Sequence, residues 1–349
     1  PPFGTAILFL KEGRRVDFAS ARSEYYDYPG APPHVEYSNL RRDLFRRDFT
    51  INAMAISIGT GDWGDLFDFF GGLKDLENKI LRVLHPLSFV EDPARAIRAV
   101  RFEQKYGFKI EPFTLSLLKQ TVRGELLNKI KPDRLKEEIN LILRLPDFYR
   151  YLERLYQLDM FPYIFPGSTW RREFELIYQR LVKLLERFSF LPLDHFLAKL
   201  SPLWGEMNPA YLDQLKSKLA LSKTITRKIA TYLERKEEIE RKLPDEGLSN
   251  SQVYLLLHPL GNEFLLLLEA KWGEDSLPGR RVEQYLREWR EITPRLTGED
   301  LKRKGIPPGP VYAKILEELK LARIDGLVKS KEEEEILAEK IWRNETYER

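Results

Sequence analysis

The stretch that decides how this chain is read is Glu91-Asp92-Pro93-Ala94-Arg95-Ala96-Ile97-Arg98-Ala99-Val100-Arg101. Pro93 suits the first turn of a helix, where its missing N–H costs nothing, and Asp92 suits the N-cap before it. Ala96, Ile97, Val100 and Phe102 supply an apolar face, and the arginines occupy the other. Asp92, Arg95, Arg98 and, with some rotation, Arg101 then fall along one stripe at i+3 spacing. A carboxylate beside a guanidinium presents an acceptor next to a donor. Cytosine and adenine carry an amine next to a ring acceptor on their pairing edges; uracil lacks the amine and guanine reverses the order. The pair therefore has the polarity to choose C or A without a template. Equally, the same spacing describes a capped helix with surface ion pairs.

Upstream, Arg41-Arg42-Asp43-Leu44-Phe45-Arg46-Arg47-Asp48-Phe49-Thr50-Ile51-Asn52-Ala53 places four arginines within seven residues. Their planar donor forks match phosphate oxygens, while Asp48 and Asn52 offer groups for ribose hydroxyls. The alternative is a solvated, salt-bridged segment with Asp43 paired to Arg47 at i+4. Further upstream, Ala6–Leu10 and Val16–Ser20 flank Lys11-Glu12-Gly13-Arg14-Arg15 and read as a hairpin. In the second strand Asp17 points away from the face of Val16 and Phe18. Metal-assisted phosphoryl transfer needs clustered carboxylates, and one Asp is not a cluster. Asp62, Asp65 and Asp68 follow a different motif and read as structural.

From about Glu91 the pattern is helical, with helices expected near 114–121, 133–144, 174–188, 194–199, 224–242, 251–257, 263–271 and 281–291, and a long pair after Gly305-Ile306-Pro307-Pro308-Gly309-Pro310. Residues 52–58 are expected to form a strand. Ser249 and Asn250 mark a helix start after a boundary at Gly247. The composition is that of a globular protein: 349 residues, 43% hydrophobic, 32% charged, net charge +3. So mild a charge requires any nucleic-acid surface to arise by local clustering. No cysteine is present, which excludes disulfides and thiolate zinc sites. With no apolar run long enough to cross a bilayer, these features point to the cytoplasm.

Together these segments resemble the class II tRNA nucleotidyltransferase and bacterial poly(A) polymerase family. Phe3-Gly4-Thr5-Ala6 and Val16 through Glu24 resemble its palm strands, and Arg46 through Ala53 its sugar and triphosphate motif. Gly71 through Leu76 resembles the approach to its neck, Glu91 through Arg95 its nucleotide-recognition motif, and Lys131-Pro132-Asp133-Arg134 through Glu138 a later neck motif. Leu296 through Leu301, with Pro308-Gly309-Pro310, resembles the tail of some members.

The resemblance implies an α+β chain: a partial polymerase-β-like nucleotidyltransferase head (1–75), then an all-helical neck (76–145), body (146–245) and tail (246–349). It implies Mg²⁺, ATP and CTP as donors, and a tRNA acceptor arm held by body and tail. It assigns nucleotide contacts to Arg46, Arg47, Asp48, Asn52, Glu91, Asp92, Arg95, Arg98 and Arg101. Asp17 matches the third catalytic carboxylate, and Lys302, Arg303 and Lys304 are the tail's candidate RNA contacts. The family's Gly-Gly turn with two metal-binding aspartates is expected before Pro1, so the chain as written is expected to bind nucleotide without catalysing. The stretch Ala21 through Glu36 most resembles members that add the terminal A, which favours an A-adding or CCA-adding activity. A poly(A) polymerase and a non-catalytic RNA-binding module are the alternatives.

Overall fold

A computed structural model describes residues 4–25, 27, 28 and 34–347. Phe3 and, in the Ala21–Glu36 stretch, residues 26 and 29–33 lie outside them. The expected hairpin is present: β1 (Thr5–Phe9) pairs antiparallel with β2 (Arg15–Ala19), and Asp17 sits opposite Ile7. All ten strand residues are exposed, the apolar Ile7, Leu8, Phe9, Val16 and Phe18 included. β3 (Arg22–Tyr25) pairs with β4 (His34–Tyr37), and α1 (Leu40–Phe45) begins at Asn39, whose side chain accepts from the Arg42 N–H.

The strand expected over 52–58 is shorter. The N–H groups of Asn52 and Ala53 bond to the carbonyls of Phe49 and Thr50, winding Thr50–Asn52 into a 3-10 turn. Only β5 (Met54–Ile56) remains extended, paired with β6 (Leu66–Asp68). Asp68 then accepts from the N–H groups of Phe70, Gly72 and Leu73, so this carboxylate secures the start of α2 (Gly72–Glu77). Gly72 is required there by contact: a Cβ would lie 2.3 Å from the Thr50 carbonyl oxygen.

The short parallel pair β7 (Ile80–Leu81) and β8 (Lys109–Ile110) brackets α3 (Ser88–Glu91) and α4 (Ala94–Tyr106). Then follow α5 (Pro112–Arg123), α6 (Pro132–Leu143), α7 (Phe148–Gln157) and α8 (Phe161–Ile164). Both α5 and α6 start on proline, the first-turn placement that the ring's fixed φ favours. Ala96, Ile97 and Val100 of α4 are fully buried, and α4 packs on α6 and α7.

The chain forms two compact units, residues 1–171 with 207–222, and 172–206 with 223–349. In the second lie α9 (Phe174–Arg187) and α10 (His195–Trp204); α11 (Leu212–Lys218) belongs to the first and packs on α6. The second unit continues with α12 (Lys223–Lys242), α13 (Asn250–Leu257), α14 (Asn262–Trp272), α15 (Leu277–Arg287), α16 (Gly298–Arg303), α17 (Pro310–Ile324) and α18 (Lys331–Tyr347). Ser249 caps α13 in a capping box with Gln252. α15 starts four residues earlier than expected because Ser276 caps it and Pro278 sits in its first turn, and it ends at Arg287. α10 extends to Trp204, past Pro202. α14 is the central helix, nearly all buried, against α9, α10 and α15. A separate core of Leu296, Leu301, Ile306, Ile315, Leu319, Ala338 and Ile341 holds α16–α18 together. Among the described residues no helix is long and apolar enough to cross a membrane.

Candidate nucleotide-recognition site

The start of α4 is the centre of the site. Asp92 is 4% exposed; its Oδ1 accepts from the Ala94 N–H at 3.1 Å, although α4 starts one residue later than expected, with Pro93 rather than Asp92 in the cap position. Its Oδ2 accepts from Arg98 Nη2 at 3.3 Å and from Arg134 Nη2, and lies 3.8 Å from Arg95 Nε. Arg95, 2% exposed, is anchored elsewhere: Nη1 donates to the Ser88 hydroxyl at 2.9 Å and Nη2 to the Arg46 carbonyl at 2.7 Å. Its Nε lies 3.2 Å from Asp48 Oδ1 but makes no hydrogen bond.

One turn on, Arg98 gathers three carboxylates. Nη1 donates to both oxygens of Asp48 at 2.8 and 2.7 Å, Nη2 to Asp92, and Nε to Glu138 at 2.6 Å. Burial disfavours the charged guanidinium, but the fields of Asp48, Glu138 and Asp92 outweigh it and hold Arg98 more firmly protonated than usual. Arg101 reaches the other oxygen of Glu138 at 3.5 Å, and its guanidinium lies 5.2 Å from the Phe102 ring centre. The i+3 stripe is therefore continued by two residues of α6, Arg134 and Glu138, which share one face at i+4.

The arginine-rich segment organises around Asp43. This buried carboxylate accepts from the Arg22 N–H, from Arg46 Nε and Nη2, and from Arg47 Nη2 at 3.0 Å. Burial pushes its pKa up, but the hydrogen bonds from Arg46, Arg47 and Arg22 prevail and lower it. The Asp43–Arg47 pair expected at i+4 is thus formed, while Arg46 also donates to Glu24 at 3.0 Å. Arg47 remains exposed, as does Asn52, whereas Asp48 is half-buried and bound to Arg98. Thr50 donates to Asp75 at 2.7 Å, and Arg82 donates to the same carboxylate, fastening this segment to α2. Glu91 lies 3.5 Å from His85; burial raises the Glu91 pKa against the field of Arg95, and burial lowers that of His85.

Asp92, Arg95, Arg98, Asp48 and Arg46 are therefore one connected cluster, and Arg101 joins it through Glu138. Asp17 stands apart, exposed and paired with Arg15 at 2.6 Å. Among the described residues no three metal-ligating side chains are grouped to hold an ion, so the side chains described do not fit a resident metal. Lys302 is exposed, Arg303 pairs with Asp300, and Lys304 pairs with Glu335 and Glu339 at 3.0 and 3.1 Å. Sequence reasoning singled out the Lys131–Glu138 stretch but gave Arg134 and Glu138 no role. It overlooked Ser88, which carries no distinctive signal.

Residues 2–82 match the family model of the poly A polymerase head domain, and residues 107–170 match that of a probable RNA and SrmB-binding site of polymerase A. The chain is 36% identical to an A-adding tRNA nucleotidyltransferase of Geobacter sulfurreducens and 38% identical to one of Aquifex aeolicus, over 95% and 92% of its length; it spans 39% of each of these relatives. It is 30% identical to the A-adding enzyme of Halalkalibacterium halodurans, covering 95% of this chain and 75% of that one. Among solved structures, an apo CCA-adding enzyme superposes with a TM-score of 0.83 at 33% identity, covering 96% of this chain and 80% of the other. The Thermotoga maritima CCA-adding enzyme complexed with tRNA superposes with a TM-score of 0.78 at 32% identity, covering 98% and 79%.

Proposed function

Because this chain belongs to the tRNA nucleotidyltransferase and poly(A) polymerase family, we infer that it selects the incoming nucleotide and holds the RNA in an enzyme that adds AMP, or CMP and AMP, to the 3′ end of tRNA. The observation that carries this reading is the pairing of Asp92 and Arg95 at the start of α4, buried and held from several sides. Such restraint is what template-independent choice requires, since a loosely held pair accommodates any base edge.

The donors on Asp92 define how a base enters. Arg134 is the more exposed of its two guanidinium partners, its side chain 39% exposed against 19% for Arg98. In this reading an amine of cytosine or adenine takes the place of Arg134 on Asp92 Oδ2, and Arg95, whose Nε lies 3.2 Å from Asp48 Oδ1 without a hydrogen bond, turns a donor to the neighbouring ring acceptor. Arg98 stays bound to Asp48 and Glu138 and keeps Asp92 in place. Arg47, exposed beside this cluster, meets the triphosphate, and Asn52 the ribose. ATP and CTP as donors, the tRNA acceptor arm and a cytoplasmic setting follow from the same reading.

Enzymes of this family generally depend on a divalent metal ion. Asp17 is ion-paired with Arg15 and, among the described residues, belongs to no group of three metal-ligating side chains, so it does not supply such a site by itself.

The test is base selection. With the complete enzyme, tRNAs ending before CCA, in C and in CC are offered with each of the four nucleoside triphosphates. An A-adding enzyme extends only the last, with ATP; a CCA-adding enzyme extends all three. Asp92→Ala with Arg95→Ala is expected to reduce the preference for ATP or CTP over GTP and UTP by at least about tenfold, the loss of one good hydrogen-bond pair. Unaltered preference refutes the role of the pair, and long A tails on unrelated RNA refute the tRNA assignment.

A further inference from the structure

A second site lies in the other unit, independent of the neck. A cavity of about 380 Å³ is bounded by α9 on one side and by the end of α14 with the turn after it on the other. That volume falls in the range of small-ligand pockets. Glu269, 1% exposed, lines it, and neither of its carboxyl oxygens has a hydrogen-bond partner. The nearest cation, Arg187, is 3.7 Å away, and its nitrogens are turned to Glu274 and Glu283. A buried carboxyl without a donor is costly, and its persistence calls for a role. It also sits in the last turn of α14, where the helix dipole disfavours a negative charge.

The remaining lining narrows the ligand. Arg180 and Lys183 put two cations on the α9 wall, with Gln179 beside them, while Leu176 and Trp272 add apolar surface. Arg180 donates to the Ala270 carbonyl at 3.3 Å and its guanidinium rests against Gly273. The cavity thus offers Arg180 and Lys183 for an anion, a flat apolar surface for a ring, and, beside Glu274 already paired with Arg187 and Asp275 in the turn, the unpartnered carboxyl of Glu269 for a hydrogen-bonding edge. An inorganic anion leaves Glu269 unpaired; a cationic ligand meets Arg180 and Lys183. We propose that this cavity is a nucleoside monophosphate site, in which Arg180 and Lys183 hold the phosphate and Glu269 pairs with the edge of the base. The occupant is either a free nucleotide or one unpaired nucleotide of an RNA chain.

Burial, with Glu283 and Glu274 nearby, raises the Glu269 pKa to about 7 against the fields of Arg187 and Arg287. Near neutrality its carboxyl is therefore both donor and acceptor, which suits a base edge that carries both. Neither Glu269, Arg180 nor Lys183 belongs to the neck cluster, so failure at this site leaves the neck reading standing.

Equilibrium dialysis of the full chain against labelled AMP, GMP, CMP, UMP and inorganic phosphate tests the proposal, with the Asp92→Ala/Arg95→Ala variant as background to silence the neck. At least one nucleoside monophosphate is expected to bind ten or more times more tightly than phosphate. Arg180→Ala with Lys183→Ala is expected to weaken it at least tenfold. Glu269→Leu, which fills the same space without a hydrogen-bonding group, should bring nucleotide binding down to that of phosphate. Glu269→Gln should retain binding and lose the part of its pH dependence that Glu269 contributes, leaving only that of the phosphate's own second ionisation at about pH 6. A single-stranded oligonucleotide that binds where mononucleotides do not, with the same response to the variants, identifies RNA as the source. Equal affinity for phosphate and nucleotide, or nucleotide binding that survives Glu269→Leu and the double variant, overturns the proposal.

Discussion

Replacing Glu269 by Gln makes stability itself report the state of the buried carboxyl. The folded pKa of Glu269 is about 7 against an ordinary 4.5. Between those values the native protein keeps a proton that the unfolded chain releases, so wild-type stability falls as pH rises from 4.5 to 7 and then levels off. A difference of two and a half pH units at 1.36 kcal/mol each amounts to about 3 kcal/mol. Glutamine carries no titrating proton and keeps the shape. The variant should therefore lie within about 1 kcal/mol of wild type near pH 5 and exceed it by up to about 3 kcal/mol at pH 8. For a unit of this size that corresponds to a rise of about 6–12 °C in the melting temperature. Scanning calorimetry of both proteins at half-unit intervals from pH 5 to 8.5 measures the gap directly. Glu274, Glu283, Arg187 and Arg287 are common to both proteins, so their own titration largely cancels. A gap of the same size at pH 5 and pH 8 refutes the reasoning.

Arg98→Ala should cost about 3–5 kcal/mol by stranding Asp48, Asp92 and Glu138 around a missing cation, read as a lowered melting temperature of the first unit. Gly72→Ala should cost about 1–3 kcal/mol, because its Cβ meets a backbone oxygen that cannot yield without moving the Thr50 turn; near-neutral stability would show that α2 shifts freely. Neutralising Lys302 alone should lower the salt dependence of tRNA binding by about one phosphate contact. Arg303→Ala and Lys304→Ala should change it less, since Asp300, Glu335 and Glu339 already compensate those charges. Equal slopes for all three variants and wild type would remove this segment from the RNA surface.

What could be read from the sequence is what neighbours along the chain decide. Pro93 after Asp92, Ser249 and Asn250 after Gly247, and the apolar spacing of α4 act within a turn or two, so these helix starts were legible to within a residue or two, as was the shared face of Asp92, Arg95 and Arg98. The Asp43–Arg47 pair is equally local. The strand expected at 52–58 was shortened by a turn that depends on a distant partner, since the Thr50 hydroxyl is held by Asp75 and its N–H by the Arg82 carbonyl.

Tertiary structure alone decided which charges meet. Arg134 reaches Asp92 across 42 residues and Arg98 reaches Glu138 across 40, and no periodicity encodes either encounter. It also decided that Glu269 lies in the dark among leucines of α14 while the other glutamates around it face solvent or cations. Hydrogen-bonding type and helical phase belong to the residue and its near neighbours. Burial, and with it the strength of a charge or the value of a pKa, belongs to whatever the fold brings alongside.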